Sequence, residues 1–339
     1  MTHEFKIIVE AGINAKRNGL KSVLASVVAL NGSSYRKPGV RMLVLENDTM
    51  IGAVSGGCVE KEILLQSQKV FKTGKAIVMT YDGKYRLGCE GVLYILIELF
   101  NPKEDFLKAF FNCLNERNTF EILSYFSKEE GFKRELGSFV NIDDRLFSLN
   151  GSITNNIESN LSVFQQKMVP CFKLIVIGAE HDAVQLCAIA SQLGWEVTII
   201  AGIKENKTID NFPNAKEFFA IIPEDLDTSN IDNQTAIVLM NHNFGYDLHY
   251  LIALKNTTSN YIGVLGPSKR RDDLLSNLIE YSPEIKEEFL DTIHGPAGLN
   301  LGSITPQEIA ISIISEILAV TRKKQPISLT EKAGRIHAE

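Results

Sequence analysis

Lys173-Leu174-Ile175-Val176-Ile177-Gly178-Ala179-Glu180-His181-Asp182-Ala183 decides the fold of the second half of the chain. Four apolar residues follow Lys173 and read as a buried strand, Lys173–Ile177. Gly178 marks a tight turn. Asp182–Leu193 then reads as a helix with Ala183, Cys187, Ala190 and Leu193 along one face. A second apolar strand, Glu196–Ala201, follows. The alternation continues through Ala236–Met240 (strand), Tyr246–Lys255 (helix), Tyr261–Leu265 (strand) and Lys269–Glu280 (helix). Strands alternating with helices form a parallel sheet covered by helices, so residues 171–322 are expected to be a Rossmann-like domain. The last helix carries its own start signal. Thr305 is a good N-cap, Pro306 suits the first helical position and Glu308 completes a capping box, with the helix running to about Thr321. The charged, weakly patterned tail 323–339 is expected to be loose.

The turn after the first strand stands where a dinucleotide fingerprint, G-x-G-x-x-G/A, would lie. Gly178 and Ala183 fit its first and third positions. Glu180 takes the second, where a glycine lets the backbone approach a pyrophosphate. The helix N-terminus favours an anion and Glu180 opposes one. The acidic residue expected for ribose hydroxyls after the second strand is replaced by Ala201-Gly202, with Glu205 further on. Gly178, Ala179, His181 and Asp182 are candidate ligand contacts. A Rossmann-like domain whose dinucleotide site has decayed is the bland alternative.

Working outward to the N-terminus, residues 1–100 read as an α+β domain. Glu4–Asn18 is a helix, and Ser22–Leu30, Val40–Leu45, Met50–Val54, Ala76–Thr80 and Val92–Leu99 are strands. Ser55-Gly56-Gly57-Cys58 opens a helix to about Lys72 that buries Val59, Ile63 and Val70. Adjacent glycines can point successive amides into one concavity, a nest for an anion. Cys58 then lies at a helix N-terminus, where unpaired amides favour a thiolate. Arg36, Lys37 and Arg41 could add positive charge. A glycine turn with an inert buried cysteine explains the pattern equally well. Cys89, in Leu87-Gly88-Cys89-Glu90-Gly91, is the natural second sulfur. Cys113, Cys171 and Cys187 fall on predicted element faces and read as core. Residues 101–170 are a middle segment and linker, with a helix at Lys103–Leu114, strands at Glu121–Phe126 and Phe139–Ile142, and a polar stretch at Asn150–Asn160.

Composition bounds the function. The chain has 339 residues, room for two domains, and 35 basic against 41 acidic residues give a net charge of −6. That balance argues against a nucleic-acid binder. Five cysteines with no C-x-x-C pair exclude a zinc ribbon or a thioredoxin-like motif and fit a reducing compartment. There is no leader-like segment, and no run of about 18–20 apolar residues to span a membrane, so a cytoplasmic protein is expected.

Taken together, these motifs resemble the xanthine dehydrogenase accessory factor family (XdhC/CoxI type). The matching runs are Gly32–Gly39, Ile51–Glu60 and Leu87–Gly91, then Gly178–Ala183, Asn241-His242, Gly263–Arg271, His294–Leu299 and Thr305–Ala310. The resemblance implies a maturation factor for molybdenum hydroxylases. Such a factor binds molybdenum cofactor (molybdopterin), cooperates with a cysteine desulfurase in its sulfuration, and passes it to the apo-enzyme. Ser55, Gly56, Gly57 and Cys58 match the family's Ser-Gly-Gly-Cys position, and Cys89 its second cysteine. Arg36, His242 and His294 also lie in matching runs. NAD(P) binding is set against by Glu180. Ser268, Arg270 and Arg271 either hold a phosphate or cap a helix, and the cap is favoured. The resemblance thus implies a cofactor-binding chaperone more than an enzyme in its own right, with no catalytic residue and no metal ligand expected, and two-domain proteins of this kind often form homodimers. A nicotinamide-dependent oxidoreductase and a non-catalytic docking scaffold are the alternatives.

Overall fold

The chain begins with α1 (Thr2–Arg17), whose Phe5, Ile8 and Val9 are buried. It continues through β1 (Ser22–Asn31), β2 (Arg41–Leu45), β3 (Met50–Gly52), α2 (Cys58–Thr73), β4 (Ile77–Asp82), β5 (Val92–Leu99), α3 (Glu104–Asn115), β6 (Phe120–Phe126), β7 (Gly131–Phe132), β8 (Gly137–Ile142), β9 (Arg145–Ser148) and β10 (Ser162–Met168). The structure is a computed structural model that describes residues 1–32, 37–82, 91–129, 131–132, 136–151 and 161–332. It divides into two units, 1–170 and 171–339.

Two antiparallel sheets build the first unit, one ordered β3-β2-β1-β5-β4-β7 and the other β10-β6-β8-β9. The first sheet is covered on both faces, which explains the near-continuous apolar run of β1. On one face Val59, Ile63 and Val70 of α2 pack against Val23, Ala25, Ile95 and Ile97. On the other, Leu24 and Leu43 meet Phe5 and Ile8 of α1, Phe106 and Phe110 of α3, and Phe120 and Val140 of the second sheet. The described residues of 101–170, read from the sequence as a middle segment and linker, thus belong to the N-terminal unit: β7 extends its first sheet, and α3 with the second sheet forms the layer against that sheet. Phe106, Phe110, Phe120 and Phe147 share one core with α1. The polar stretch read as a linker lies mostly outside the described residues.

The second unit follows the expected grammar. Its elements are β11 (Lys173–Ile177), α4 (His181–Gln192), β12 (Glu196–Ala201), β13 (Glu217–Ala220), β14 (Thr235–Leu239), α5 (Phe244–Leu254), β15 (Tyr261–Val264), α6 (Ser268–Tyr281), α7 (Glu287–Leu290), β16 (Ile293–His294) and α8 (Pro306–Thr321). The six strands are all parallel in the order β13-β12-β11-β14-β15-β16. Numbered from β11, that is 3-2-1-4-5-6, the Rossmann order, with its reversal point between β11 and β14. α4 and α8 share a core on one face through Ala183, Leu186, Cys187, Ile313 and Ile317. Leu248 and Leu251 of α5 and Leu274 and Leu278 of α6 line the other face. Leu193 does not join the α4 stripe. It caps that helix and is exposed, and Leu186 fills the place instead. The α8 capping box forms as read, with the Glu308 carboxylate accepting from the Thr305 N–H at 2.9 Å. No described helix is long and apolar enough to cross a membrane. Residues 323–332 form neither helix nor strand, and 333–339 lie outside the described residues.

Candidate functional site

The cysteine turn lies between β3 and α2, and the helix begins at Cys58 itself. Gly57 sits at φ +101°, a conformation that favours glycine. Gly56 and Gly57 are exposed and Ser55 is half-buried. The amides do converge, but on this chain's own carboxylate. Glu60 is only 7% exposed. It accepts from the Val54 N–H at 3.0 Å and the Ser55 N–H at 2.5 Å on one oxygen, and from the Gly57 N–H at 2.6 Å on the other. The nest read as a site for an external anion is therefore filled by Glu60. The sequence held that signal: a Glu at the third helical position after the N-cap commonly turns back onto the amides before it.

Arg41 also departs from its reading as a positive charge for this turn. It is buried, and its Nη1 donates to the Gly39 carbonyl at 2.9 Å and to Gln166 Oε1 at 2.5 Å. It shares the space between the two sheets with Glu98, which is fully buried and accepts from the Ser138 N–H at 2.9 Å. Burial pushes the Glu98 carboxyl up to about 7, partly offset by Ser138 and Arg41. Burial likewise lowers Arg41 to about 10. Arg36 and Cys89 lie outside the described residues. Cys113, Cys171 and Cys187 are buried, as expected for packing residues. Burial raises the Cys113 and Cys187 thiols to about 11, which leaves them inert near neutrality.

In the second unit Gly178 sits at φ +134°. A Cβ there would lie 2.8 Å from the backbone carbon and oxygen of Met240, so this turn packs directly on the end of β14. Ala179 and Ala183 are buried, His181 is exposed and Asp182 is half-buried. Glu180 caps α4 and is exposed, with its carboxylate 3.8 Å from Lys207 Nζ. Lys207 also donates to the Ala179 carbonyl. The loop after β12 therefore brings a lysine to the turn, not the carboxylate that would hold a ribose.

The remaining histidines have separate surroundings. His242 is exposed on the loop after β14. That loop is braced by buried Asp247, which accepts from Asn241 at 3.2 Å and from Arg270 at 2.7 Å. Arg270 thus holds a carboxylate, and it is neither a helix cap nor a free phosphate ligand. The N-cap of α6 is Pro267 and makes no side-chain cap bond. Arg271 donates to the Ile293 carbonyl at 3.3 Å. His294, two strands away from β14 at the end of β16, stacks on Tyr261 at 4.6 Å and lies 3.7 Å from Glu316. Glu316 also accepts from the Tyr261 hydroxyl at 2.6 Å and the Gly298 N–H at 2.8 Å. Burial works against ionising Glu316, but His294, Tyr261 and Gly298 hold it below the usual carboxylate range. Neither Tyr261 nor Glu316 lies in a motif that the sequence reading singles out. A tyrosine two residues before a glycine is the available sign, since the Tyr261 ring folds over Gly263, where a Cβ would come within 2.9 Å of it.

Known families match both units. The pattern described as the XdhC Rossmann domain matches residues 174–317, and that of the XdhC and CoxI family matches residues 15–82. The chain belongs to the XdhC/CoxI family. A relative from Bacillus subtilis (strain 168), described as a probable subunit of xanthine dehydrogenase, is 28% identical over 323 residues, covering 90% of this chain and 94% of its own length. The molybdenum cofactor insertion chaperone PaoD of Escherichia coli (strain K12) is 23% identical over 326 residues, covering 94% of this chain and 90% of its own. A crystal structure described as a xanthine dehydrogenase from Bacillus halodurans superposes with a TM-score of 0.77 at 26% identity, covering 94% of this chain and 97% of that one. Within the chain, the XdhC/CoxI match takes in Cys58 and Glu60, and the XdhC Rossmann match takes in both the Gly178 turn and Glu316.

Proposed function

We propose that this chain is a cytoplasmic maturation factor for a molybdenum hydroxylase, which takes up molybdenum cofactor at Cys58 and delivers it to the apo-enzyme. The carrying observation is the placement of Cys58 as the first residue of α2, after two exposed glycines, inside the XdhC/CoxI match. The insertion chaperone among its relatives supports the same reading. A thiol at a glycine turn suits a cofactor that carries soft sulfur and molybdenum. Cys89 and Arg36 are proposed to assist, a cysteine desulfurase to act with it in sulfuration, and the working form to be a homodimer. The test is the cofactor retained by protein purified anaerobically from cells that make it. Cys58→Ala is expected to lower retained molybdopterin at least tenfold, with folding unchanged by circular dichroism. Equal retention would overturn the reading. Full client maturation with Cys58 and Cys89 both replaced would instead favour a docking scaffold.

A nicotinamide-dependent oxidoreductase has the strand order in its favour and the Glu180–Lys207 pair against it. A fluorescence titration with NADH is expected to show no saturable binding in the micromolar range. Saturation there would revive that reading.

A further inference from the structure

We propose that the closed space between the two sheets of the N-terminal unit is a binding site for an internal water molecule, which bridges Arg41 to Glu98. The proposal stands apart from the reading of Cys58. Three neighbouring strands supply the polar walls. Ser26 on β1 lies directly across from Arg41 on β2. Glu98 on β5 lies across from Leu24, two residues along β1 from Ser26, so all three side chains rise from one face of the sheet. Strand β1 thus separates the two charges, and between them it carries only a small serine. Ser26, Arg41 and Glu98 are all buried.

The unmade bonds converge on one guest. The Nη1 end of Arg41 is spent on the Gly39 carbonyl and on Gln166. Its other edge, Nε and Nη2, is sealed from solvent and has no partner among the described residues. An arginine edge of this kind commonly grips a carboxylate through two parallel bonds. Glu98 is near enough for its charge to act on Arg41, yet no hydrogen bond joins them. One Glu98 oxygen accepts from the Ser138 N–H at 2.9 Å, and the other, Oε1, has no partner. The Ser26 hydroxyl has none either. Leaving such buried groups unpaired costs more than an ordinary hydrogen bond contributes. A buried water typically makes about three bonds, and up to about four, to groups left over in this way. Here it can accept from Nε and Nη2 and donate to Glu98 Oε1 and the Ser26 hydroxyl. An ion fits less well, because a cation would face the guanidinium and an anion the carboxylate. The guest is therefore small, neutral, and both donor and acceptor.

The test uses the full chain and needs no cofactor. A high-resolution crystal structure of the wild type, grown above the Glu98 titration at about 7, is expected to show a water in the gap. That water should lie within about 2.7–3.2 Å of the free Arg41 edge and of Glu98 Oε1. Direct contact between Arg41 and Glu98, an ion at that place, or a gap without density would overturn the proposal. A second arm is run in solution, where magnetic relaxation dispersion of water oxygen counts long-lived internal waters. Arg41→Met/Glu98→Leu removes the polar walls and is expected to lose one such water relative to the wild type. An unchanged count, in a double variant with wild-type circular dichroism, would also overturn the proposal. Where the double variant does not fold, the wild-type crystal structure decides alone.

Discussion

Arg41→Met is expected to destabilise the N-terminal unit by about 3–5 kcal/mol at pH 8 and by much less at pH 5. The wild-type Arg41 guanidinium and the Glu98 carboxylate share the closed space between the two sheets of that unit. Removing the cation leaves a buried anion without the nearby opposite charge that offsets its burial, and an uncompensated buried charge is costly. The pH dependence follows from Glu98. Its carboxyl sits at about 7 in the folded protein against an ordinary value of 4.5. An acid whose folded value is raised binds its proton more tightly when folded. Its favourable contribution is therefore full below about 4.5 and is lost as the pH climbs through about 7. Deleting Arg41 removes the charge that lowers the Glu98 value, so the variant should lose more stability over that span than the wild type does. At pH 5 Glu98 is protonated, and the remaining cost is that of the bonds to Gly39 and Gln166. Urea unfolding at the two pH values measures the difference. The double variant Arg41→Met/Glu98→Leu should recover most of the loss at pH 8, because apolar side chains can replace two buried opposite charges at little cost. An equal loss at both pH values would assign the effect to the two hydrogen bonds and not to charge.

Those same residues show what a sequence gives up easily and what it does not. β1, β11, β12 and β14 are buried on both faces, so their apolar runs stand out and the α/β alternation of the second unit is plain. β10 is Ser162–Met168, a largely exposed edge strand, so its Ser-Val-Phe-Gln-Gln-Lys-Met sequence has no burial pattern to display. β16 has only two residues, and its pairing with β15 is made by tertiary contact alone. Arg41 was legible in principle. It alternates with Leu43 and Leu45 along β2, so all three face the same way, and Glu98 interrupts β5 in the same manner. Two opposite charges inside apolar strands are a sign of charges buried near one another, which a reading of Arg41 as a local cation passes over. The cysteine turn failed differently. The glycines correctly announced converging amides, but a loop reading names the donors without the acceptor, and Glu60 lay three residues beyond.

Gly178→Ala is expected to cost the C-terminal unit roughly 3 kcal/mol while leaving the N-terminal unit unchanged. Two effects add at this position. A φ of +134° is rarely adopted by any residue with a side chain, and the new Cβ would sit 2.8 Å from the Met240 backbone. Met240 cannot yield easily, because its N–H donates to the Ile177 carbonyl at 2.7 Å. Gly178 itself is tied by its own N–H to the Ile200 carbonyl at 2.8 Å. The methyl must therefore separate β11 from β14 or break the Gly178 tie to β12, at the reversal point where ligands of this fold class bind. Hydrogen exchange should consequently speed up at Gly178 and Met240 before the rest of the sheet. Gly202→Ala is the matched control, since a Cβ there meets nothing within 4 Å. It should change stability by no more than about 0.5 kcal/mol. If the two substitutions cost the same, close packing of the turn on β14 is not what requires glycine at 178. If Gly178→Ala alone is costly yet cofactor retention is untouched, then the Rossmann turn serves the fold and the cargo is held by the first unit.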